Sequence, residues 1–91
     1  MALRLDETLR EQRERIQPYV EELQALVRRY DPDARFALNV GHDTGFWELD
    51  AYVRSEVDED EDFARVLAEK ATDIHLEHDA AIVVVTLPRH D

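Results

Sequence analysis

The sequence predicts an α+β domain whose elements follow the order helix, strand, strand, helix, strand. Two stretches carry apolar residues at helical spacing, and two runs between them alternate apolar and polar residues. An apolar run rich in β-branched residues follows the second helical stretch. We expect residues 1–91 to form one α+β domain, with a three-stranded mixed sheet and two helices packed on one face of it.

The first helix is predicted from an apolar stripe at steps of three and four residues. Pro18 falls inside this stretch and removes the hydrogen bond to the carbonyl of Glu14. We therefore expect either a kink or a new helix that begins at Pro18. The segment Asp31-Pro32 ends the helix because the residue before a proline avoids the α region. The stripe consists of Ile16, Tyr19, Val20, Leu23, Leu26, Val27 and Tyr30.

Two strands joined by a short loop are predicted next. Apolar residues occupy every second position over residues 36–40 and again over residues 47–53, as in strands with one buried face. The connecting loop has glycine at both ends, Gly41 and Gly45, which favours a hairpin. His42 and Asp43 lie in this loop, but sequence neighbours in an extended chain point apart and do not form a proton relay. We interpret the loop as a hairpin turn.

A second helix and a last strand complete the prediction. The acidic segment 56–62 suits the start of a helix because the helix dipole favours negative charge there. The run AAIVVVTL over residues 80–87 is apolar on both faces, which is typical of a strand covered on both sides. With the second helix as a right-handed crossover, this strand lies parallel to the second strand. The stripe of the second helix consists of Phe63, Val66, Leu67, Ala71 and Ile74.

The predicted packing leaves one face of the sheet without a covering helix. An apolar face of this kind on a small domain marks a surface for a partner. We expect a homodimer, or a subunit that docks onto another protein, assembled through this face or through the exposed edge of the last strand. The expected interface residues are Phe46, Tyr52, Val83 and Val85.

The charge of the chain narrows the classes of partner. Its 22 acidic and 11 basic residues give a net charge of −11, which repels phosphate backbones and anionic lipids. No apolar run approaches the ~20 residues of a membrane-spanning helix, and no signal pattern begins the sequence. We expect a cytoplasmic protein that binds neither nucleic acid nor membranes. The scarcity of lysine, with Lys70 alone, fits either adaptation to high salt or a GC-rich genome.

A histidine pair is the main candidate for chemistry. His75 and His78 lie three residues apart near the end of the second helix, close enough to share a divalent ion with Asp79. The helix dipole also favours histidine at this position without any ligand. His42 and His90 would add ligands if the fold brought them near. A divalent-metal-binding or metal-sensing domain is therefore the alternative to association, and no other cofactor is expected.

Residues 41–53, GHDTGFWELDAYV, resemble part of the nucleotidyltransferase site, in which a Gly-Ser pair precedes an Asp-x-Asp on a strand. Glu48 and Asp50 would point to the same side of a strand and imitate the metal-binding pair. His42 follows Gly41 and the phosphate-binding half of the motif is missing, so the resemblance implies at most a degenerate domain of that class. The chain has no cysteine, and no serine or threonine has an evident base partner, so we expect no catalysis.

Overall fold

The elements follow the predicted order, with one additional short helix. The computed structural model describes residues 9–40 and 46–89. The α+β class and the three-stranded mixed sheet predicted from the sequence are confirmed. In chain order the elements of the described residues are α1 (Leu9–Tyr30), β1 (Arg35–Val40), β2 (Trp47–Val53), α2 (Ser55–Asp58), α3 (Glu61–His78) and β3 (Ile82–Pro88).

The sheet has the order β1-β2-β3, so β2 is its central strand. β1 runs antiparallel to β2 with Leu38 opposite Leu49, and β3 runs parallel to β2 with Val84 opposite Leu49. The antiparallel pairing of the first two strands and the parallel pairing of the last strand are both confirmed. The loop between β1 and β2, residues 41–45, lies outside the described residues.

One side of the sheet lies in the apolar core. Leu49, Ala51 and Val53 of β2 are fully buried there. Trp47 is half-buried and packs against the same cluster. Each fully buried Val, Leu or Phe side chain contributes roughly 1.5–3 kcal/mol, so this cluster is the main source of stability. From the helices it includes Ile16, Val20, Leu23 and Val27 of α1 and Phe63, Leu67 and Ile74 of α3.

Pro18 lies inside α1, which runs without interruption from Leu9 to Tyr30. The expectation of a new helix beginning at Pro18 is therefore wrong. Ile16 precedes the proline and Val20 follows it, and both are buried, while Pro18 itself is exposed. Burial of the continuous apolar stripe outweighs the cost of a proline in a helix interior, which is about 3 kcal/mol.

The acidic segment 56–62 contains a helix boundary that the sequence prediction missed. α2 ends at Asp58 and α3 begins at Glu61, with Asp60 as the N-cap of α3. Oδ1 of Asp60 accepts hydrogen bonds from the N–H of Asp62 at 2.9 Å and of Phe63 at 3.2 Å. The side chain thus satisfies N–H groups that the first turn of a helix leaves without partners.

The buried carboxylate of Asp31 lies where α1 ends. It accepts hydrogen bonds from the N–H of Asp33 at 3.0 Å and from the N–H of Arg54 at 2.9 Å. Burial raises the pKa of Asp31, but these two backbone hydrogen bonds and the charges of Arg89 and Arg54 outweigh it. The pKa of Asp31 is therefore lowered from its ordinary value of 3.8. Asp31 fixes the end of α1 to the residue that follows β2.

Candidate functional site

The side of the sheet opposite the apolar cluster forms the candidate site, which we call the open face. Side chains alternate between the two sides of a strand, and residues paired across strands share a side. The register therefore assigns three residues of each strand to this face. They are Arg35, Ala37 and Asn39 of β1, Glu48, Asp50 and Tyr52 of β2, and Val83, Val85 and Leu87 of β3.

The β3 side of the open face is an apolar row. Val83 is 42% exposed, and Val85 and Leu87 are half-buried. Tyr52 lies beside the row, opposite Leu87. The structure thus places the predicted residues Tyr52, Val83 and Val85 on one face. Sequence reasoning missed Leu87, although the alternation that groups Val83 with Val85 also includes it.

Phe46, the fourth predicted interface residue, lies at one end of this row. It directly precedes β2 and is 39% exposed. Together with His75 of α3 and Ala81 it lines a groove of about 270 Å³ that also reaches Val83. Phe46 therefore borders the Val83 end of the open face and does not belong to its centre.

Two carboxyl groups occupy the β2 part of the open face. Asp50 is only 9% exposed and accepts a hydrogen bond from Nδ2 of Asn39 at 3.0 Å. The hydrogen bond between the Glu48 and Asp50 side chains, together with the charge of Asp50, raises the pKa of Glu48 above its ordinary value of 4.5. Two adjacent carboxylates repel each other, so a proton or a cation between them is favourable. The prediction that Glu48 and Asp50 point to the same side of the strand is confirmed.

Arg35 supplies a positive charge to the open face. It lies at the start of β1 opposite Tyr52, and its side chain is exposed. Among the described residues the Arg35 side chain has neither a hydrogen bond nor an ion pair. Lys70, in contrast to Arg35, forms an ion pair within the chain, because its Nζ lies 2.8 Å from Oε1 of Glu22. The open face thus carries a cation near one end, Glu48 near the other end and Asp50 midway between them.

The two histidines of the predicted metal site have different neighbours. The ring of His78 stacks on Tyr19 of α1, with ring centroids 4.6 Å apart and planes inclined by 21°. His75 instead lines the groove beside Phe46. The stack gives His78 a role in joining α3 to α1 that needs no metal.

Asp79, the third predicted ligand, ends α3. It adopts the left-handed conformation with φ of 54°, and its N–H donates to the carbonyl of His75 at 3.0 Å. Within residues 9–40 and 46–89, no three His, Asp or Glu side chains are positioned to hold one metal ion. His42 and His90 lie outside those ranges, so the metal site stays a prediction.

Comparisons with known proteins do not place the chain in a family. No protein-family model, curated protein or solved structure matches it. In the part of the chain that the structure describes, no helix is both long enough and apolar enough to cross a bilayer.

Proposed function

We propose that the protein acts by association through the open face, as a homodimer or as a subunit that binds another protein, and performs no catalysis. The observation that carries this proposal is the apolar row of Val83, Val85 and Leu87 with Tyr52 beside it. These side chains form a continuous strip that remains partly exposed. Covering such a strip removes apolar surface from water, which is worth about 25 cal/mol for each Å².

The size of the open face sets the strength that we expect. Three strands about 4.8 Å apart, each with about six residues of 3.3 Å, form a face of roughly 14 Å by 20 Å. That footprint is well below the roughly 800 Å² that each partner buries in a standard interface. We therefore expect a dissociation constant in the micromolar range, which corresponds to a binding free energy on the order of −8 kcal/mol.

Net charge also affects the association. Two chains of charge −11 repel each other at low salt. Molar salt shortens the screening length to about 3 Å and removes most of this repulsion. Self-association through an apolar strip is therefore expected to be tighter in molar salt than in dilute buffer.

Light-scattering mass tests the proposal, at protein concentrations up to about 1 mM, in dilute buffer and in molar salt. The monomer mass is 10.7 kDa, and we expect twice this value at the upper concentrations. Val83→Lys should return the mass to that of the monomer. Leu76→Lys is the matched control, because Leu76 is 74% exposed and lies on α3. A monomer mass under every condition would contradict the homodimer.

Pairing of β3 edges is the other mode of association that the fold offers. The N–H of Trp47 donates to the carbonyl of Ala81 at 3.0 Å, so every second residue from Ala81 directs its backbone groups to β2. The backbone groups of Val84 and Thr86 consequently point to the other edge of β3, where no strand of residues 9–40 and 46–89 pairs with it. Tyr52 on β2 would lie about two strand spacings, ~10 Å, from a strand added there. Tyr52→Lys should therefore weaken the dimer if the open face is used and leave it intact if the edge is used.

A divalent-cation site is the second proposed function. His75 and His78 are both exposed on the last turn of α3, with Asp79 beside them. Calorimetric titration with zinc should then give heat that is lost in the His75→Ala/His78→Ala variant. Equal heats for the two proteins would contradict the site. A His78→Phe variant, which retains an aromatic ring for stacking on Tyr19, separates loss of a ligand from loss of packing.

A further inference from the structure

We propose that the open face is a self-complementary two-fold interface, in which Arg35 of one copy pairs with Glu48 and Asp50 of a second copy. By symmetry, Arg35 of the second copy pairs with Glu48 and Asp50 of the first. The inference rests on the proposed association through the open face and adds the partner, a second copy of this chain, and the register. It follows from the positions of charged and apolar residues along the three strands.

The charged residues lie at different levels along the strands. Arg35 is level with Tyr52 near one end of the open face, and Asn39 is level with Glu48 near the other. Ala37 and Asp50 are level with each other midway between them. The two ends are four residues apart, about 13 Å. A two-fold axis that lies in the interface and crosses the strands at the middle level exchanges these ends.

Such an axis brings Arg35 close to the acidic end of the second copy. β1 of one copy then lies antiparallel over β1 of the other, which brings Arg35 over Asn39 of the second copy. Glu48 is the neighbour of Asn39 on the adjacent strand, only about 4.8 Å away. Sheets that pack face to face are about 10 Å apart, a distance that an arginine side chain from one sheet spans to reach a carboxylate on the other.

The same axis matches the apolar rows. β3 lies antiparallel over β3 of the second copy, so that Val85 meets Val85 and Val83 meets Leu87. Tyr52 is placed over Glu48 of the second copy, where its hydroxyl is a hydrogen-bond donor for the carboxylate. The usual rotation of about 30° between packed sheets leaves these neighbours in contact. The axis thus matches the apolar rows, and at the middle level it places Asp50 over Asp50 of the second copy, so the arginines brought in from both copies have to offset the repulsion between these carboxyl groups.

The electrostatics of the single chain favour this pairing. Glu48 and Asp50 are adjacent carboxyl groups, and the pKa of Glu48 is raised by the hydrogen bond to Asp50 and by its charge. A guanidinium group placed against both carboxylates relieves their repulsion. Arg35 has no ion-pair partner among the described residues of its own chain. Pairing it in the dimer therefore breaks no existing ion pair between described residues.

Charge reversal tests the register by light scattering and sedimentation equilibrium. Arg35→Glu and Glu48→Arg should each weaken the dimer at least about tenfold, and the double variant should recover most of that loss. The matched control is the exposed pair Arg10 and Glu14 on α1, whose atoms Nε and Oε2 lie 3.5 Å apart. Arg10→Glu and Glu14→Arg change the net charge equally and should leave the dissociation constant within about threefold.

A second measurement uses the absence of cysteine from the chain. Arg35→Cys and Glu48→Cys proteins are mixed and treated with a short bifunctional maleimide. The mixture should give more cross-linked dimer than either variant alone. The proposed register brings position 35 of one copy next to position 48 of the other, whereas the two copies of position 35, or of position 48, lie at opposite ends of the open face. Equal cross-linking in all three samples would overturn the register.

The outcomes separate this inference from the proposed function. If Val83→Lys abolishes the dimer while the Arg35→Glu/Glu48→Arg variant shows no recovery, association through the open face stands and the two-fold register is wrong. If the wild-type protein is a monomer under every condition, the homodimer on which the register rests fails as well. Far-UV circular dichroism of each variant identifies loss of folding, and the cross-linking result then decides.

Discussion

Nη1 of Arg89 lies 2.8 Å from Oδ2 of Asp31, a contact between residues 58 positions apart in the chain. Asp31 follows α1 and Arg89 follows β3, so the pair holds the last strand against the end of the first helix. The Arg89 side chain is 9% exposed and that of Asp31 is 1% exposed. Removal of one charge from a buried ion pair is strongly destabilising.

Replacement of Asp31 tests the importance of this contact. Asp31→Asn should lower the free energy of unfolding by about 3 kcal/mol, because it removes the buried negative charge beside Arg89 and a carboxylate that accepts two backbone hydrogen bonds. Arg89→Met should cost less, since Asp31 retains the N–H donors of Asp33 and Arg54. Urea unfolding at neutral pH measures both.

The control for this prediction is Asp33→Asn. The Asp33 side chain is exposed and only its backbone N–H bonds to Asp31. We expect a change within about 0.5 kcal/mol, as for other surface substitutions. Losses of the same size in Asp33→Asn and Asp31→Asn would show that the carboxylate of Asp31 has no special role.

The lowered pKa of Asp31 predicts a pH dependence of stability. Its pKa is lower in the folded state than the ordinary value of 3.8, so between the two values the unfolded state binds more protons and stability rises with pH. The contribution of Asp31 is complete above the unfolded value and is lost as the pH falls through the folded value. The stability difference between wild type and Asp31→Asn should therefore shrink below about pH 4. Urea unfolding at a series of pH values measures it, and a constant difference would contradict the prediction.

Local patterns predicted the long elements because helices and strands each impose their own spacing on buried residues. The stripe that includes Leu23 is buried on α1, and the alternation that includes Leu49 gave the correct buried side of β2. The same alternation correctly assigned Tyr52 and Val83 to one face. The side of a strand that a residue faces depends only on its position along that strand, so one sequence suffices to predict it.

Contacts between distant residues could not be predicted in this way. Nothing near Asp31 in the sequence indicates Arg89, and nothing near His78 indicates Tyr19, because these contacts depend on how whole elements pack. The break between α2 and α3 was missed for a different reason. In a run of acidic residues every carboxylate is a candidate N-cap, and only the backbone shows that Asp60 takes this role.

The N-cap of α3 gives a further prediction. Asp60→Ala should lower the free energy of unfolding by about 1 kcal/mol, because the N–H groups of Asp62 and Phe63 lose their acceptor. Asp60→Ser retains a side-chain oxygen and should keep most of the stability. Thermal or urea unfolding of the two variants checks the expectation. If serine and alanine were equally destabilising, capping would not be the reason.

Pro18 provides the last prediction, since it lies inside α1 and is exposed. In a helix interior proline is about 3 kcal/mol less favourable than alanine. Pro18→Ala should therefore raise the free energy of unfolding by up to about 3 kcal/mol, measured by urea unfolding.

Pro32 is the matched control because it is also exposed but lies in the turn after α1. There a proline restricts the unfolded chain without breaking a helix, so Pro32→Ala should lower stability by about 0.4–1 kcal/mol. The same substitution thus has opposite signs at two positions. A loss of stability in Pro18→Ala would instead mean that a bend at Pro18 is needed to bury both Ile16 and Val20. The packing of α1 would then require the proline and would not merely tolerate it.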